Sequence, residues 1–329
     1  MIKKIFMLIV ILSVCSCSVQ RINEVLFIAS IGLEKDNNGY IGYFYLPSSE
    51  DIGKANEGGS GSGEFAKFEG KSLSEVFEKS QSSTELSMNL RHSSSIVLNK
   101  ELLSDDFLEE LIGFIKYSPY LDMNFYIFIT EDKLEDIYGF KNPNKESVLN
   151  SILVATYDSP SIYLSADPIH FLEFARNFYE EKCIRFPLLK ANKIWKINSE
   201  DVKSYYCSDM LIYNKGKIEV VEEDKRVYYM KKNSHFYDEI NENPLYFQDY
   251  IFEIKYREKI IISIRCKYTS LSNIKIECSE VKKLIEERIN SFLEEYQKID
   301  FLNLEYFNYI YSKNLNYHDV EIKADVRTF

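Results

Sequence analysis

The first seventeen residues separate a targeting segment from the body of the chain, and they decide which part has to fold. Lys3 and Lys4 precede an apolar run over residues 5–12, and small residues follow that run. A basic start, a short apolar core and a small-residue exit are typical of a secretory signal peptide. The run is too short to cross a bilayer, which takes about 20 apolar residues. We expect residues 1–16 to be this signal peptide and the body to fold outside the cytoplasm.

The exit of this segment ends in Cys17, which fits the site of a bacterial lipid anchor. Val14-Cys15-Ser16-Cys17 resembles the lipobox, in which a branched residue and small residues precede a thiol that receives a diacylglyceryl group. Two acyl chains anchor stably, because each buried methylene contributes about 0.8 kcal/mol and one chain binds only marginally. We therefore predict lipidation at Cys17. Cys15 is the rival site, and an ordinary secreted protein with two incidental cysteines is the alternative.

The charge of the body excludes some partners. The 329 residues carry a formal net charge of −11, and loss of Lys3 and Lys4 with the signal peptide leaves 38 basic against 51 acidic side chains, a net −13. An acidic body has no long-range attraction for nucleic acid or for an anionic leaflet. We expect no nucleic-acid partner, and we expect the lipid rather than a basic patch to hold the body at a membrane.

Periodic patterns predict α+β structure in the first part of the body, residues 17–182. Apolar strands over 25–33 and 40–46 flank a turn and read as a hairpin. A glycine-rich flexible loop over 58–63 leads to a strand, and Ser72-Leu73-Ser74-Glu75 fits a capping box at the start of a helix.

Further helices and strands are predicted in the same part of the chain. They are a strand over 95–98, a helix over 105–116 that Pro119 ends, a strand over 124–130, helices over 132–138 and 146–155, and a helix through about Tyr179 that Asp167 caps. The apolar side of the helix over 105–116 is predicted to consist of Phe107, Leu108, Leu111, Ile112 and Ile115.

The rest of the chain predicts a small β-rich middle domain, residues 183–245, and a C-terminal α+β domain, residues 246–329. Asn214-Lys215-Gly216 between two short strands predicts a hairpin in the middle domain. In the last domain, paired strands precede a helix capped by Ser279, a second helix over 301–311 and an alternating strand over 317–328. The apolar positions of the first of these helices follow the helical period: Val281, Leu284, Ile285, Ile289, Phe292, Leu293 and Tyr296. The fold class expected is α+β in three domains, with mixed or antiparallel sheets and helices packed on them.

The body shows no catalytic, cofactor-binding or metal-binding pattern. Gly70-Lys71-Ser72 lacks the earlier glycine that a P-loop needs, because position 65 is Phe, so Ser72 is interpreted as a helix cap. The four histidines, His92, His170, His235 and His318, are scattered, and no Cys-x-x-Cys pair occurs. Cys183, Cys207, Cys266 and Cys278 are interpreted as thiols rather than disulfides, with Cys266–Cys278 the pair most worth checking.

The order of segments resembles the Ger(x)C family, the C-subunit lipoproteins of spore germinant receptors. The resembling segments run over nearly the whole mature chain: Ile22–Asp36, Glu69–Val76, Leu90-Arg91-His92 followed by Ile96–Leu98, Asn214–Lys217 and Val326–Thr328. Two departures stand out. Ser18-Val19 occupy the place of a Trp-Asp pair that often follows the lipidated cysteine in the family. Phe329 occupies the place of a glycine that often follows the family's terminal Arg-x.

The resemblance implies a non-enzymatic lipoprotein subunit of a nutrient germinant receptor. It would lie on the outer leaflet of the spore inner membrane, held by the diacylglyceryl anchor, beside the receptor's A and B membrane subunits. Its work would be receptor assembly or signal coupling during germination. Two alternatives remain open from the residues: a lipid-anchored solute-binding protein and an envelope hydrolase acting on the cell wall.

Overall fold

The computed structural model describes residues 25–47, 64–82, 87–139, 169–197, 200–222, 234–272 and 274–328. These residues form an α+β fold with helices packed on several sheets, as the sequence predicts. The signal peptide, Cys17, the glycine-rich segment at 58–63 and the helix predicted at 146–155 lie outside them. No helix among the described residues is long and apolar enough to span a membrane.

The strands number fifteen within the described ranges. Their bounds are β1 Val25–Phe27, β2 Ser30–Asp36, β3 Gly39–Leu46, β4 Glu64–Gly70, β5 Ser87–Asn89, β6 Ser95–Asn99, β7 Tyr126–Thr130, β8 Ile169–His170, β9 Ile184–Ile197, β10 Glu200–Asn214, β11 Lys217–Val221, β12 Ser234–Ile240, β13 Asn243–Tyr256, β14 Ile260–Ser270 and β15 Val320–Thr328. The helices are α1 Leu73–Ser82, α2 Asp105–Tyr117, α3 Leu134–Tyr138, α4 Phe171–Tyr179, α5 Cys278–Tyr296 and α6 Leu304–Tyr311.

A large mixed sheet organises the first two thirds of the chain. Its order is β11-β10-β9-β7-β6-β2-β3-β4, with β8 paired to β7. The central pairs β2–β6, β6–β7 and β7–β9 are parallel, and the outer pairs are antiparallel. Parallel strands are usually buried on both faces, which explains why the central strands read as apolar runs.

Helices cover the two faces of this sheet unequally. Helices α1, α2 and α4 bury their apolar sides on one face, and the predicted face of α2 is confirmed: Phe107, Leu108, Leu111, Ile112 and Ile115 are all buried. The short helix α3 lies on the other face with Val97 and Phe128. Gly32 permits that approach, since a Cβ there would lie 2.5 Å from Cε2 of Tyr138.

Local signals predicted most element starts, with three corrections. The strand expected over 25–33 is interrupted at Ile28 and Ala29, so that β1 pairs with β5 in a separate two-stranded sheet. Helix α4 begins at Phe171 with His170 as its N-cap, because Ile169 and His170 first pair with β7; the predicted start at Asp167 is wrong.

The third correction concerns α5. This helix begins at Cys278 with Glu277 as its N-cap, so Ser279 lies inside the first turn and does not cap it. The predicted apolar face of the same helix is confirmed. Its members Val281, Ile285, Ile289, Phe292, Leu293 and Tyr296 are buried, and Leu284 is partly buried.

Strands of the range 183–245 are divided between two sheets. β9, β10 and β11 extend the large sheet, and β12 pairs with β13 in a four-stranded sheet of order β12-β13-β14-β15. The predicted hairpin at Asn214 is confirmed, with positive φ at both Lys215 (48°) and Gly216 (75°), the geometry of a tight I′ turn. The topology thus groups these strands differently from the three ranges expected above, and an independent middle domain stays a prediction.

The C-terminal unit is a four-stranded mixed sheet with its helices between the last two strands. β13 and β14 are antiparallel, whereas β14 and β15 are parallel and joined through α5 and α6. In β15 the side chains alternate between partly buried and exposed, as predicted. Its core, formed with α5, also takes in Met210 and Ile212 of β10 and Cys183, which directly precedes β9, so the two units share one packed boundary.

Candidate functional site

The residues with the clearest chemical signals in the sequence serve the fold. Ser72 caps α1, because its Oγ accepts a hydrogen bond from the backbone N of Glu75 at 3.2 Å. The Glu75 carboxylate accepts from the backbone N of Lys71 at 2.9 Å, one residue earlier than in a standard capping box. The interpretation of Ser72 as a cap is confirmed. Cys17, the predicted lipidation site, lies outside the described residues.

The histidines that the structure describes occupy separate positions. His170 accepts from the backbone N of Leu172 through Nδ1 at 3.4 Å, and its Nε2 lies 3.1 Å from Oδ1 of Asn124. The His92 ring packs 5.8 Å from the ring of Phe27. Across the described ranges, no three His, Cys, Asp or Glu side chains come together as a metal site.

The paired carboxylates at the start of α2 hold the helix to the sheet. Tyr213 donates to Oδ1 of Asp105 at 2.5 Å, and Tyr40 donates to Oε2 of Glu110 at 2.9 Å. Burial, together with the adjacent Glu110, raises the pKa of Tyr40 to about 12. Both tyrosines are therefore protonated at neutral pH and act as fixed donors.

The four described cysteines are thiols, as the sequence interpretation held. Burial raises the pKa of Cys183 to about 11 and that of Cys266 to about 12. A thiol reacts as its thiolate, so a raised pKa makes these side chains unreactive near neutral pH.

A buried carboxylate lies at the boundary between the two units. Asp300, only 8% exposed, has a left-handed backbone (φ 51°) just before α6. Its carboxylate accepts from the backbone N of Leu304 at 2.8 Å and of Glu305 at 3.0 Å. Burial raises the pKa of Asp300 above its ordinary value against the effect of these bonds. The carboxylate thus caps α6 from inside the protein.

Side chains of the large sheet reach this same segment. Arg185 of β9 donates through Nη2 to the backbone O of Phe301 at 3.0 Å, and its guanidinium lies 4.1 Å from the centre of the Phe301 ring. Asn214 of β10 donates to the backbone O of Ile299 at 2.9 Å. Asn303 accepts from the backbone N of Cys183. Residues 299–303 therefore carry several of the hydrogen bonds that join the C-terminal unit to the large sheet. Tyr296, Lys298 and Glu305 make further contacts with β11 and the turn before it.

Two buried polar atoms in this boundary have no hydrogen-bond partner among the described residues. They are Nε of Arg185 and Oδ1 of Asn214. An unmade buried hydrogen bond costs about 1–3 kcal/mol, so the boundary is less stable than a fully bonded interface.

Beyond the boundary, α6 presents an exposed aromatic surface. Tyr309 is 83% exposed, Ile310 49% and Tyr311 59%. On the inner side, Phe307 stacks between Tyr256 (4.1 Å between ring centres) and Tyr311 (4.6 Å). These rings, with Arg257, Glu258 and Lys313, line a surface depression of about 540 Å³. Exposed aromatic side chains on one helix are typical of a protein contact surface.

Sequence reasoning did not find this boundary. Arg185 and Phe301 are 116 residues apart and Asn214 and Ile299 are 85 apart, so no local pattern connects them. The one available signal was Asp300 and Asn303 beside α6, since Asp and Asn tolerate left-handed backbone better than other residues. What the arrangement offers is a hydrogen-bonded boundary between the two units next to the exposed aromatic face of α6.

Comparison with known proteins identifies the family of this chain. No curated protein is matched by this chain. Among solved structures, the crystal structure of the GerBC protein is similar, with 12% sequence identity, a TM-score of 0.49, and coverage of 91% of this chain and 96% of that one. The model of the spore germination protein N-terminal domain matches residues 18–191, more than half of the chain. The chain therefore belongs to the Ger(x)C family of spore germination proteins.

Proposed function

We propose that this protein is the non-enzymatic lipoprotein C subunit of a nutrient germinant receptor. A diacylglyceryl group on Cys17 holds it at the outer leaflet of the spore inner membrane. It lies there beside the receptor's A and B membrane subunits, and it acts in receptor assembly or in coupling the nutrient signal.

The observation that carries this proposal is where the family match begins. The matched domain starts at residue 18, directly after Cys17. A lipobox that ends where a spore germination domain begins is the arrangement expected of a mature lipoprotein whose first residue carries the anchor. Residues 1–16 supply the basic, apolar and small-residue sections of the matching signal peptide.

The boundary between the units supports the coupling part of the proposal. A subunit can transmit a signal only if its partners bind two of its arrangements with different affinity. In this proposal, the hydrogen-bonded contact of Arg185 and Asn214 with residues 299–303 transmits a change from one unit to the other. The exposed face of α6 next to this contact provides a surface for a partner that binds the two arrangements with different affinity.

A germination assay with two cysteine variants tests the proposal. Cys17→Ala removes the lipid acceptor, and Cys15→Ala is the matched control because it changes the neighbouring thiol of the same segment. We expect spores with Cys17→Ala to lose most of their response to nutrients while calcium dipicolinate still triggers germination. Spores with Cys15→Ala should respond to nutrients as the parent does.

Mass spectrometry of the mature chain provides the second readout. The parent and the Cys15→Ala chain should carry a diacylglyceryl group on residue 17, and Cys17→Ala should carry none. Normal nutrient germination by Cys17→Ala spores, or a mature parent chain without lipid, would contradict the proposal. Calorimetric binding of amino acids or sugars to the isolated chain would instead support the solute-binding alternative.

A further inference from the structure

The loops that precede the central parallel strands meet at one end of the large sheet. β2, β6 and β7 are parallel, so their starts at Ser30, Ser95 and Tyr126 lie at the same edge. Backbone hydrogen bonds connect the loops there, from Ser94 N to Ala29 O at 2.9 Å and from Tyr126 N to Ser94 O at 3.0 Å. We call this end the amino-terminal edge and define its outer surface by Phe27, Arg91, His92, Lys116, Tyr117 and Tyr120.

This surface is aromatic and exposed. Tyr117, the last residue of α2, is 77% exposed, and Tyr120 is 39% exposed. Lys116 lies over the Tyr117 ring with its Nζ 5.0 Å from the ring centre. Tyrosine concentrates at membrane interfaces because its ring is apolar and its hydroxyl remains hydrated, and a neighbouring lysine can reach the headgroups.

The members of the surface are linked to one another and to the start of the described chain. Arg91 donates from Nη2 to the backbone O of Pro119 at 3.1 Å, which joins the two loops. The His92 ring packs on Phe27 at 5.8 Å, so strand β1 ends against the same surface. The exposed tyrosines therefore lie close to where the chain emerges from its amino-terminal segment.

The charge at this edge differs from that of the whole body. The mature body carries a net charge of about −13, and an anionic leaflet repels it. Beside the two tyrosines, exposed Lys116 is basic and exposed Asp122 is acidic, and Arg91 adds a second basic group through its bond to Pro119. Electrostatic repulsion between an anionic bilayer and this end is therefore weaker than repulsion between the bilayer and the acidic body as a whole.

The length of chain ahead of β1 limits where a lipid on Cys17 can lie. Eight residue steps separate Cys17 from Val25, and at most ~3.6 Å per residue they span no more than about 29 Å. A lipid on Cys17 therefore keeps Val25, and with it the amino-terminal edge, within about 29 Å of the lipidated residue.

We propose that the amino-terminal edge rests on the lipid headgroups of the bilayer that holds the anchor, with Tyr117 and Tyr120 at the level of the interface. This inference rests on the proposed function, because the lipid on Cys17 supplies the bilayer. It adds a second, non-covalent contact, which fixes the orientation of the body relative to the membrane and hence which surfaces face neighbouring subunits.

Hydrogen exchange on vesicles tests this contact. The lipidated full chain is bound to vesicles of phosphatidylglycerol and phosphatidylethanolamine, and exchange at residues 90–93 and 117–122 is compared with that of the Cys17→Ala chain in buffer. We expect exchange at both segments to slow by about threefold or more, as for backbone covered by a weak contact. The double variant Tyr117→Ser/Tyr120→Ser should lose this protection while still floating with the vesicles through its lipid.

A matched control is the double variant Tyr309→Ser/Tyr311→Ser, which removes two tyrosines from α6 that are comparable in exposure to Tyr117 and Tyr120. It should keep the protection at 90–93 and 117–122. If the lipidated chain floats but these segments exchange as in buffer, the contact of the edge with lipid is refuted. The lipid anchor on Cys17 is not contradicted by that result. If protection appears only after the A and B subunits are added, the surface binds protein rather than lipid and the inference is likewise overturned.

Flotation of the Cys17→Ala chain separates this inference from the proposed function. Without its lipid, this chain should bind the same vesicles weakly, and Tyr117→Ser/Tyr120→Ser should reduce that binding by about tenfold, since both rings leave the interface. A parent chain that carries no lipid would defeat the proposed function, but this comparison would still decide whether the edge contacts lipid. Equal flotation with and without the two tyrosines would overturn the contact.

Discussion

The large sheet and the C-terminal sheet bury their strands in different ways. In β6 of the large sheet, Ile96, Val97 and Leu98 are each 1% exposed or less, because α2 covers one face and α3 the other. In β15 of the C-terminal sheet, Val320 through Val326 alternate between partly buried and exposed. Parallel strands in the middle of a sheet need a covering layer of helices on each face, whereas a sheet with one face in solvent needs a covering layer on its other face alone. The large sheet therefore depends more on each of its apolar side chains.

The largest expected effect compares the same residue type in the two sheets. Ile129→Ala in β7 should lower the free energy of unfolding by about 2–5 kcal/mol, because a fully buried side chain leaves a cavity. Ile322→Ala in the edge strand β15 should cost less than half as much, since that side chain is only partly buried.

Urea unfolding of the two isoleucine variants measures the difference. The slope of the unfolding free energy against urea should stay that of the parent, so that the midpoints report stability alone. Equal losses in the two variants would show that β15 is as tightly packed as β7, and the contrast between the sheets would then be lost.

A smaller effect compares helix starts in the two units. Ser72→Ala removes the side-chain cap of α1 and should cost about 1 kcal/mol. Ser279→Ala, at the start of α5, should change stability little, because Glu277 rather than Ser279 precedes the helix. Thermal unfolding of the two variants beside the parent is the measurement. A loss for Ser279→Ala as large as that for Ser72→Ala would mean that Ser279 caps α5 after all.

The smallest expected effect is a pH dependence at the boundary of the two units. Burial raises the pKa of Asp300, so the folded chain keeps a proton at a pH where the unfolded chain, with an ordinary pKa near 3.8, has lost it. The stability that this group contributes is present below the unfolded value and is lost as pH rises through the folded one. Asp300→Asn abolishes this dependence.

The unfolding free energies of parent and Asp300→Asn, measured at neutral and at mildly acidic pH, test the sign. The advantage of the parent over the variant should grow as the pH falls. If the advantage shrinks instead, the hydrogen bonds from the backbone of Leu304 and Glu305 outweigh burial, and the carboxylate is held ionised.

The success of sequence-based prediction differed between the two units for a physical reason. The α5 face and the alternation in β15 were predicted nearly residue by residue, because one buried face imposes a period of 3.6 or 2 on the sequence. The pairing of β7 with β9 was not predicted. It joins residues 59 apart, as in the bond from Thr130 Oγ1 to the backbone O of Leu189 at 3.0 Å, and an apolar run carries no information on which strand it will meet.

The sequence by itself determined the local elements and the resemblance on which the family assignment was first made. Caps, turns and amphipathic faces depend on residues a few positions apart, so the chain alone can specify them. The contact of Arg185 and Asn214 with residues 299–303, and the gathering of Phe27, Arg91 and Tyr117 at one edge, were decided only by the tertiary structure. Such groupings depend on the order of strands in the sheet, and that order is set by packing across distant parts of the chain.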